Sequence, residues 1–340
     1  MADGEPFLIM DEELEGSVGK VWGWCSNTGL SVLRSSKHLY GDGTFEICKY
    51  TLFHQLWVIV GRSDPNKVSL PCAFFLLPDK RKSTYIKILE KLLELGVKNT
   101  KVFHSDFEKG AIRAVQAVLP KCIVVCCDTH WKRALRTNQS EIGLLVYINK
   151  DVGVQTFNRL LWALSYVPQE DVLKVYEEEV LPRMVVGEDD EEDDSPADYN
   201  RKMDAYLEYF ETTWLGKKNR RTGVRGAPMF SYDLWNKYDA VLAGTDDLTN
   251  NRSEAWNSVS KIGMPMKPNV YSVQKLIRDE EALAQARFHA ALSGGIRDQN
   301  PGRTKKRLER FKSLRQVVEQ YSDLPIKTYL DAIVAHYNSD

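Results

Sequence analysis

The segments HLYGDGTFEICKY (38–50), FHQLWVIVGR (53–62) and VSLPCAFFLLPD (68–79) decide the fold of this chain. Each is rich in β-branched and aromatic residues, and turn-forming residues separate them, which is the pattern of β-strands. We therefore predict three strands that form an antiparallel meander. The segments on either side have to pack against this sheet.

Helices and strands alternate after the meander. STYIKILEKLLELG carries apolar residues at helical spacing, with Ser83 or Thr84 as its N-cap and Gly96 as its C-cap. Crossovers between parallel strands are right-handed, so helices should cover both faces of the sheet. The prediction is an α/β fold with a mixed five-stranded sheet and flanking helices. In chain order the helix, strand, helix and strand are predicted at 83–96, 101–106, 107–120 and 122–131.

Four regions follow from the change of pattern along the chain. The helical segments after the sheet predict a large all-helical insertion, which contains an acidic loop at 187–197. Seven carboxylates repel one another in this loop, so we expect it to be disordered. The predicted regions are an N-terminal extension at 1–36, a core at 37–136, the insertion at 137–248 and C-terminal helices at 249–340.

Composition sets broad limits. The formal net charge of the 340-residue chain is −1, so local clusters of charge must decide whether it binds nucleic acid. Neither a secretory signal nor a membrane-spanning stretch is visible, and we expect no membrane partner. The six cysteines are not spaced as a disulfide framework, which favours reduced thiols in the cytosol or nucleus.

Three acidic residues are candidates for one site. Asp42 lies in YGDGTF, Asp106 in FHSDFEKGA and Glu254 in TNNRSEAWN. The first and fourth strands of the predicted core can be neighbours, which would bring Asp42 to Asp106, and a helix beyond the insertion could return Glu254. Three carboxylates suit Mg²⁺ or Mn²⁺, and two such ions could stabilise both oxygens of an in-line displacement at phosphorus.

Each acid also has a purely structural interpretation. Asp42 is followed by glycine, and this pair is common in hairpin turns. Asp106 fits the first turn of a helix, where Ser105 and Glu108 would form a capping box. Glu254 could cap a helix in the same way. No single acid decides between the two interpretations.

The order of the motifs resembles the catalytic domain of Mutator-like element (MULE) transposases. The resemblance covers roughly residues 37–260, and the combination is more specific than any one motif. The matching segments are DGTF at 42–45, FHQLWVIVG at 53–61, Pro71 with AFFLLPD at 73–79, SDFEKGAI at 105–112, VVCCDTHWKRAL at 124–135 and TNNRSEAWN at 249–257.

This resemblance implies an RNase H-like core whose triad of metal-binding, catalytic acids is Asp42, Asp106 and Glu254. It further implies a nuclear enzyme that cuts and rejoins double-stranded DNA at transposon ends and targets, with two Mg²⁺ or Mn²⁺ ions. An alternative is a truncated or host-adopted derivative that binds DNA without transposing, and another is a purely structural protein. Self-association into a homo-oligomer is left open. The supporting residues are Cys127, His130, Asn250 and Asn251.

Cys127 and His130 form the Cys-x-x-His element of the resemblance. Tetrahedral zinc needs four ligands, and no second pair of suitable spacing is present, so we do not expect zinc. The zinc-binding module with which full-length relatives commonly begin is not found before Asp42. Recognition of specific DNA ends is therefore not expected.

Two basic clusters could contact DNA phosphates. Each could instead be an ordinary solvated face, and Glu309 offers local pairing in the second cluster. The first cluster is Lys217, Lys218, Arg220, Arg221 and Arg225. The second is Arg303, Lys305, Lys306, Arg307, Arg310, Lys312 and Arg315.

Overall fold

The chain forms two compact units in a computed structural model. Unit 1 comprises residues 1–127 and 249–298, and unit 2 comprises residues 128–248 and 299–340. The structure describes residues 7–14, 19–45, 53–63, 68–185, 196–219, 221–244, 268–294 and 301–338.

A mixed sheet of seven strands, in the order β1-β2-β5-β4-β3-β6-β7, forms the centre of unit 1. The pairs β1-β2, β2-β5, β5-β4 and β4-β3 are antiparallel. The pairs β3-β6 and β6-β7 are parallel. The strands are β1 Leu8–Glu13, β2 Lys20–Cys25, β3 His38–Thr44, β4 Gln55–Ser63, β5 Val68–Leu77, β6 Val102–Ser105 and β7 Ile123–Cys126.

The meander and both crossovers are confirmed, but the predicted count of five strands is wrong by two. The additional strands, β1 and β2, arise from the region predicted to be an extension. Their sequences, LIMDEE and KVWGWC, do not show the alternation of apolar and polar residues that predicts a strand. In β1, Met10 is the one buried residue. Gly23 interrupts β2, and a Cβ there would lie 2.6 Å from the Phe75 ring. The alternating pattern on which the prediction relied is therefore weak here.

The α-helices follow the same order along the chain. Within the described residues they are α1 Asn27–Ser35, α2 Lys82–Glu94, α3 Lys109–Val118, α4 Asp128–Glu141, α5 Leu145–Lys150, α6 Val152–Ala163, α7 Val172–Val175, α8 Pro196–Phe210, α9 Tyr232–Trp235, α10 Tyr238–Leu242, α11 Val270–Leu292, α12 Pro301–Val318 and α13 Ile326–Asn338.

Helices cover both faces of the sheet in unit 1. On one face, Val273 and Ile277 of α11 join a hydrophobic cluster with Tyr40 of β3. On the other face, Tyr85 of α2 packs edge-on against Trp57 of β4, with ring centroids 4.9 Å apart. Side chains alternate along a strand, so Asp42 lies on the face of Tyr40.

Helix α2 begins differently from the prediction. Asp79, three residues before it, accepts hydrogen bonds from the backbone N–H of Arg81 (3.0 Å) and the hydroxyl of Thr84 (2.6 Å). The N-cap is Arg81 rather than Ser83 or Thr84. The C-cap is Leu95 rather than the predicted Gly96, which follows the cap with φ +89° and donates its N–H to the carbonyl of Leu93.

Unit 2 is helical around a tryptophan cluster. Trp131 of α4 stacks on Trp235 at 5.1 Å and meets Trp214 edge-on at 6.2 Å. All three rings are buried. In the part of the chain that the structure describes, none of the helices combines the length and apolar character needed to cross a bilayer.

Candidate functional site: an acidic pair on neighbouring parallel strands

Asp42 lies inside strand β3 and not at a turn. It pairs with Val58 of β4 and is only 3% exposed. The hairpin-turn interpretation of this residue is therefore wrong. The glycine that follows it has a packing role instead, because a Cβ at Gly43 would lie 2.5 Å from Oε1 of Gln55.

Asp106 follows directly after strand β6. Gly41 and Ser105 are partners in the parallel register of β3 and β6, so one step further along the chains come Asp42 and Asp106. The predicted adjacency of the first and fourth core strands is confirmed. Two acids thus lie side by side on neighbouring parallel strands, the fifth and sixth of the seven in sheet order.

Strand β7 fixes the backbone around Asp106. The N–H of Cys127 donates to the carbonyl of Ser105 at 3.0 Å, and the thiol of Cys126 approaches the carbonyl of Asp106 at 3.7 Å. The hydroxyl of Ser105 approaches the carboxylate of Asp106 at 3.4 Å. Glu108 occupies the N-cap position of α3 without a side-chain cap bond, so the capping-box interpretation is wrong.

The electrostatics of the pair are those of crowded like charges. Burial, followed by the negative charges of Asp42 and Glu108, raises the pKa of Asp106 to about 8. The positive charge of Lys80 acts in the opposite direction. A carboxyl with such a shift is held beside other acids at a cost in free energy, which is typical of functional sites.

A chain of hydrogen bonds holds Glu108 beside the pair. The buried amide of Gln55 donates to the hydroxyl of Tyr85, and this hydroxyl donates to Oε1 of Glu108. Burial, together with the charge of Glu108, raises the pKa of Tyr85 far above its usual range. Tyr85 is therefore a neutral donor at any ordinary pH, and Glu108 is fixed in place.

Lys80 supplies a positive charge to this region. It lies in the connection between β5 and α2, with Nζ 3.9 Å from Oε2 of Glu108. The same ammonium group lies 3.7 Å from the centroid of the Phe45 ring. The backbone of Lys80 packs closely against Gly110, because a Cβ at Gly110 would lie 2.2 Å from the carbonyl oxygen of Lys80. This contact explains the Asp-x-x-x-Gly step from Asp106 to Gly110.

The donor set suits a hard divalent cation in its chemistry. Carboxylate oxygens are the ligands that Mg²⁺ and Mn²⁺ prefer, and a cation there would relieve the repulsion that raises the pKa of Asp106. Among the described residues, no group of three or more His, Cys, Asp and Glu side chains is arranged to hold a metal ion. Glu254, Asn250 and Asn251 lie outside the described residues.

The Cys-x-x-His element spans the boundary between the units. Cys127 ends the first segment of unit 1 and is buried beside Ser105. His130, in the first turn of α4, belongs to unit 2 and is partly buried. The roles predicted for these two residues stay predictions.

The first basic cluster lies on a loop of unit 2, residues 216–226, which we call the basic loop. It lines a cleft of about 900 Å³. Lys217 forms an ion pair with Glu208, and Lys218 pairs with Glu177 at 3.1 Å. Arg221 is exposed, whereas Arg220 lies outside the described residues.

Among the described cations of the basic loop, Arg225 is the most enclosed, with its side chain 10% exposed. Its guanidinium reaches Glu177 at 2.9 Å, Glu211 at 3.3 Å and the carbonyl of Gly216 at 2.7 Å. Hydrogen bonds from Arg225 hold the pKa of Glu177 below its usual range. Much of the charge of this loop is compensated within unit 2.

The second basic cluster lies on α12. Lys305, Lys306 and Arg307 are exposed, whereas Arg310 is partly buried, and the side chain of Arg303 is outside the described part. Lys305 approaches Glu309 at 3.9 Å, and Arg315 pairs with Glu319 at 2.8 Å. DNA contact by either cluster stays a prediction.

Sequence reasoning missed Lys80, Tyr85 and Gln55 and gave Glu108 only a capping role. The glycine four residues after Asp106 could have indicated close backbone packing. Nothing in the sequence shows that the backbone it packs against is that of Lys80. These residues come together through tertiary packing.

The comparison with known families agrees with this geometry. Residues 38–133 match the family model of the MULE transposase domain, which confirms the resemblance drawn from the motifs. The matched segment contains Asp42, Asp106, Cys127 and His130 and ends before Glu254. None of the curated proteins matches the chain.

Proposed function

We propose, from the MULE transposase domain at residues 38–133 and the two acids that lie side by side within it, that the chain is a metal-dependent DDE transposase. In this proposal it cleaves double-stranded DNA and transfers the cut strand, acting in the nucleus on transposon ends and targets. The RNase H-like assignment of the sheet belongs to the same proposal.

One observation carries the proposal. Asp42 and Asp106 extend from neighbouring parallel strands, and burial, followed by the charge of Asp42, raises the pKa of Asp106 to about 8. A divalent ion at the pair would favour the charged carboxylates and so counteract this shift.

In this proposal, the residues of the chain hold the metal ions in place and supply the negative charge that binds them. Asp42 and Asp106 would hold Mg²⁺ or Mn²⁺, with Glu254 as the proposed third ligand. When bound, the ions would activate the attacking water or 3′-hydroxyl and stabilise the leaving oxygen. The contacts from β7 to Ser105 and Asp106 would fix the carboxylate direction, and the hydrogen bond from Tyr85 holds Glu108 beside the pair.

The test is cleavage of supercoiled and linear double-stranded DNA by the purified full-length chain with Mg²⁺ or Mn²⁺. We expect Asp42→Asn and Asp106→Asn each to lower the rate by at least ~10³-fold, as removal of a central catalytic group does. Asp204→Asn, at an exposed position of α8, is the matched control and should leave the rate unchanged. Cleavage that persists in both site variants would refute the assignment.

Glu254 is tested in the same assay. Glu254→Gln should match the loss in Asp42→Asn if all three acids hold shared ions. Normal cleavage in this variant would remove Glu254 from the site while leaving the pair. Salt-dependent retention of DNA without any cleavage, under either metal, would favour the non-transposing DNA-binding derivative.

A further inference from the structure

Lys80 stands out because the fold positions its ammonium group at the edge of the acidic site, which is the name we give to Asp42, Asp106 and Glu108 together. The hydrogen bonds that Asp79 accepts from Arg81 and Thr84 hold the chain just before α2, and Gly110 packs closely against the carbonyl of Lys80. The backbone from which this side chain extends is therefore held on two sides. Preorganisation of this kind lowers the entropic cost of binding.

The contacts of the ammonium group hold it without enclosing it. It lies over the Phe45 ring at 3.7 Å and approaches Glu108 at 3.9 Å, with its side chain 41% exposed. A cation–π contact and a long ion pair at such exposure are each weak. They orient the group but leave it able to meet an incoming anion.

The negative charges of Asp42, Asp106 and Glu108 repel any polyanion that approaches this site. Close approach of a phosphate therefore needs positive charge besides that of the metal. Lys80 already exerts this charge on the site, since it acts to lower the pKa of Asp106. A lysine is a compact point charge that binds phosphate readily.

Phe45 adds a second contact of suitable chemistry. It follows β3 three residues after Asp42 and is 38% exposed. Its ring meets His54 edge-on at 5.5 Å. Exposed aromatic rings beside a cation provide a surface on which a base or sugar can pack.

We propose that Lys80 is a phosphate-binding residue of the acidic site, which contacts the DNA backbone beside the bond to be cut, while Phe45 supports the neighbouring nucleotide. This inference rests on the proposed function and adds a substrate contact to it. Neither basic cluster singled out from the sequence includes this lysine.

The experiment measures DNA binding by the full-length chain in EDTA, so that metal ions cannot mediate contact. The dissociation constant of a labelled duplex is determined across a salt series for wild type, Lys80→Gln and Lys80→Arg. Lys98→Gln, an exposed lysine after α2, is the matched control. Thermal melting of each variant checks that it folds.

Loss of one phosphate contact should reduce the slope of log Kd against log salt by about 0.9 in Lys80→Gln. At about 0.1 M salt the affinity should fall roughly threefold to tenfold. Lys80→Arg should keep the wild-type slope, and so should Lys98→Gln. Phe45→Leu should weaken binding about fivefold without changing the slope, because stacking does not depend on counterion release.

Several results would overturn the inference. A wild-type slope in Lys80→Gln would show that no phosphate is bound there, even if cleavage became slower. An equal loss in Lys80→Arg would show that shape rather than charge matters. Absence of any DNA retention by the wild type would also remove it.

Failure of the proposed function would look different. Cleavage that survives Asp42→Asn and Asp106→Asn would refute the catalytic assignment without touching the salt slopes. Intact cleavage combined with an unchanged slope in Lys80→Gln would refute only the role of Lys80.

Discussion

The acidic site of unit 1 and the basic loop of unit 2 shift the pKa values of their carboxyl groups in opposite directions. In the acidic site, Asp42, Asp106 and Glu108 are near one another with Lys80 at the edge, and the pKa of Asp106 is raised to about 8. In the basic loop, Arg225 lies among acceptors, and the pKa of Glu177 is lowered. The surroundings of Asp106 therefore disfavour its charged form, whereas those of Glu177 favour its charged form.

This difference indicates that the acidic site is suited to binding a cation, whereas the ion pairs of the basic loop stabilise its conformation. A crowded acid favours any cation that enters, so its free-energy cost in the absence of metal becomes affinity in its presence. A compensated cluster gains little from a further ion. Both regions were predicted from the sequence as functional, and the basic loop additionally holds its own conformation through these pairs.

The largest effect on stability should come from Gly110 compared with Gly223. Gly110→Ala places a Cβ 2.2 Å from the backbone of Lys80, which cannot move aside easily, and we expect a loss of about 3 kcal/mol or more. Gly223→Ala in the basic loop meets open space at φ +71°, and should cost about 1 kcal/mol. Urea denaturation measures both, and equal losses would contradict this account of Gly110.

The next effect concerns pH. Because the pKa of Asp106 is raised to about 8, the folded state keeps a proton that the unfolded state has lost above about pH 4. The free energy of unfolding should therefore fall as pH rises from about 4 to about 8. Asp106→Asn should remove this decline and be more stable at pH 8, by on the order of 2 kcal/mol after allowance for partial solvent access.

Added Mg²⁺ sharpens the same comparison. It should stabilise the wild type at pH 8, where the carboxylate is available, and have little effect on Asp106→Asn. Melting temperatures with and without the ion provide the measurement. A variant with the same decline in stability as the wild type would show that Asp106 does not titrate as described.

The sequence predicted the centre of unit 1 better than its edges or its charge network. Apolar runs predict strands β3 to β7, and extending the meander with parallel strands allows β3 and β6 to be neighbours, which would bring Asp42 beside Asp106. Strands β1 and β2 were not predicted, because β2 becomes part of the sheet by pairing with β5, and β1 by pairing with β2, rather than through a clear alternating pattern of their own. The positions of Lys80 and Tyr85 depend on how α2 and α3 pack, which no local pattern encodes.

A smaller effect is expected at Arg225. Arg225→Met leaves Glu177 and Glu211 together without their shared cation, which should cost about 1–2 kcal/mol in this partly buried setting. Since the pKa of Glu177 is lowered, its share of the stability is present above its unfolded pKa and is lost as pH falls through the folded value.

The measurement is urea denaturation at pH 7 and at about pH 3. Arg225→Met should lose much of its disadvantage at the lower pH, where the carboxylates become protonated. Arg221→Met, on the same loop but exposed, is the control and should differ little from wild type at either pH. A loss in Arg225→Met that is independent of pH would assign its role to packing.

The smallest effect is expected at the ion pair of Lys217 and Glu208, whose side chains are 56% and 63% exposed. Lys217→Gln and Glu208→Gln should each change stability by less than about 0.5 kcal/mol, because solvent screens exposed pairs. Their effects on DNA binding should be opposite, since Glu208 holds the cation that a phosphate would otherwise bind. Lys217→Gln should weaken retention about twofold, whereas Glu208→Gln should strengthen it. If neither variant changes DNA retention, the basic loop is a structural element of unit 2, and phosphate contacts must be sought at Lys80 and on α12.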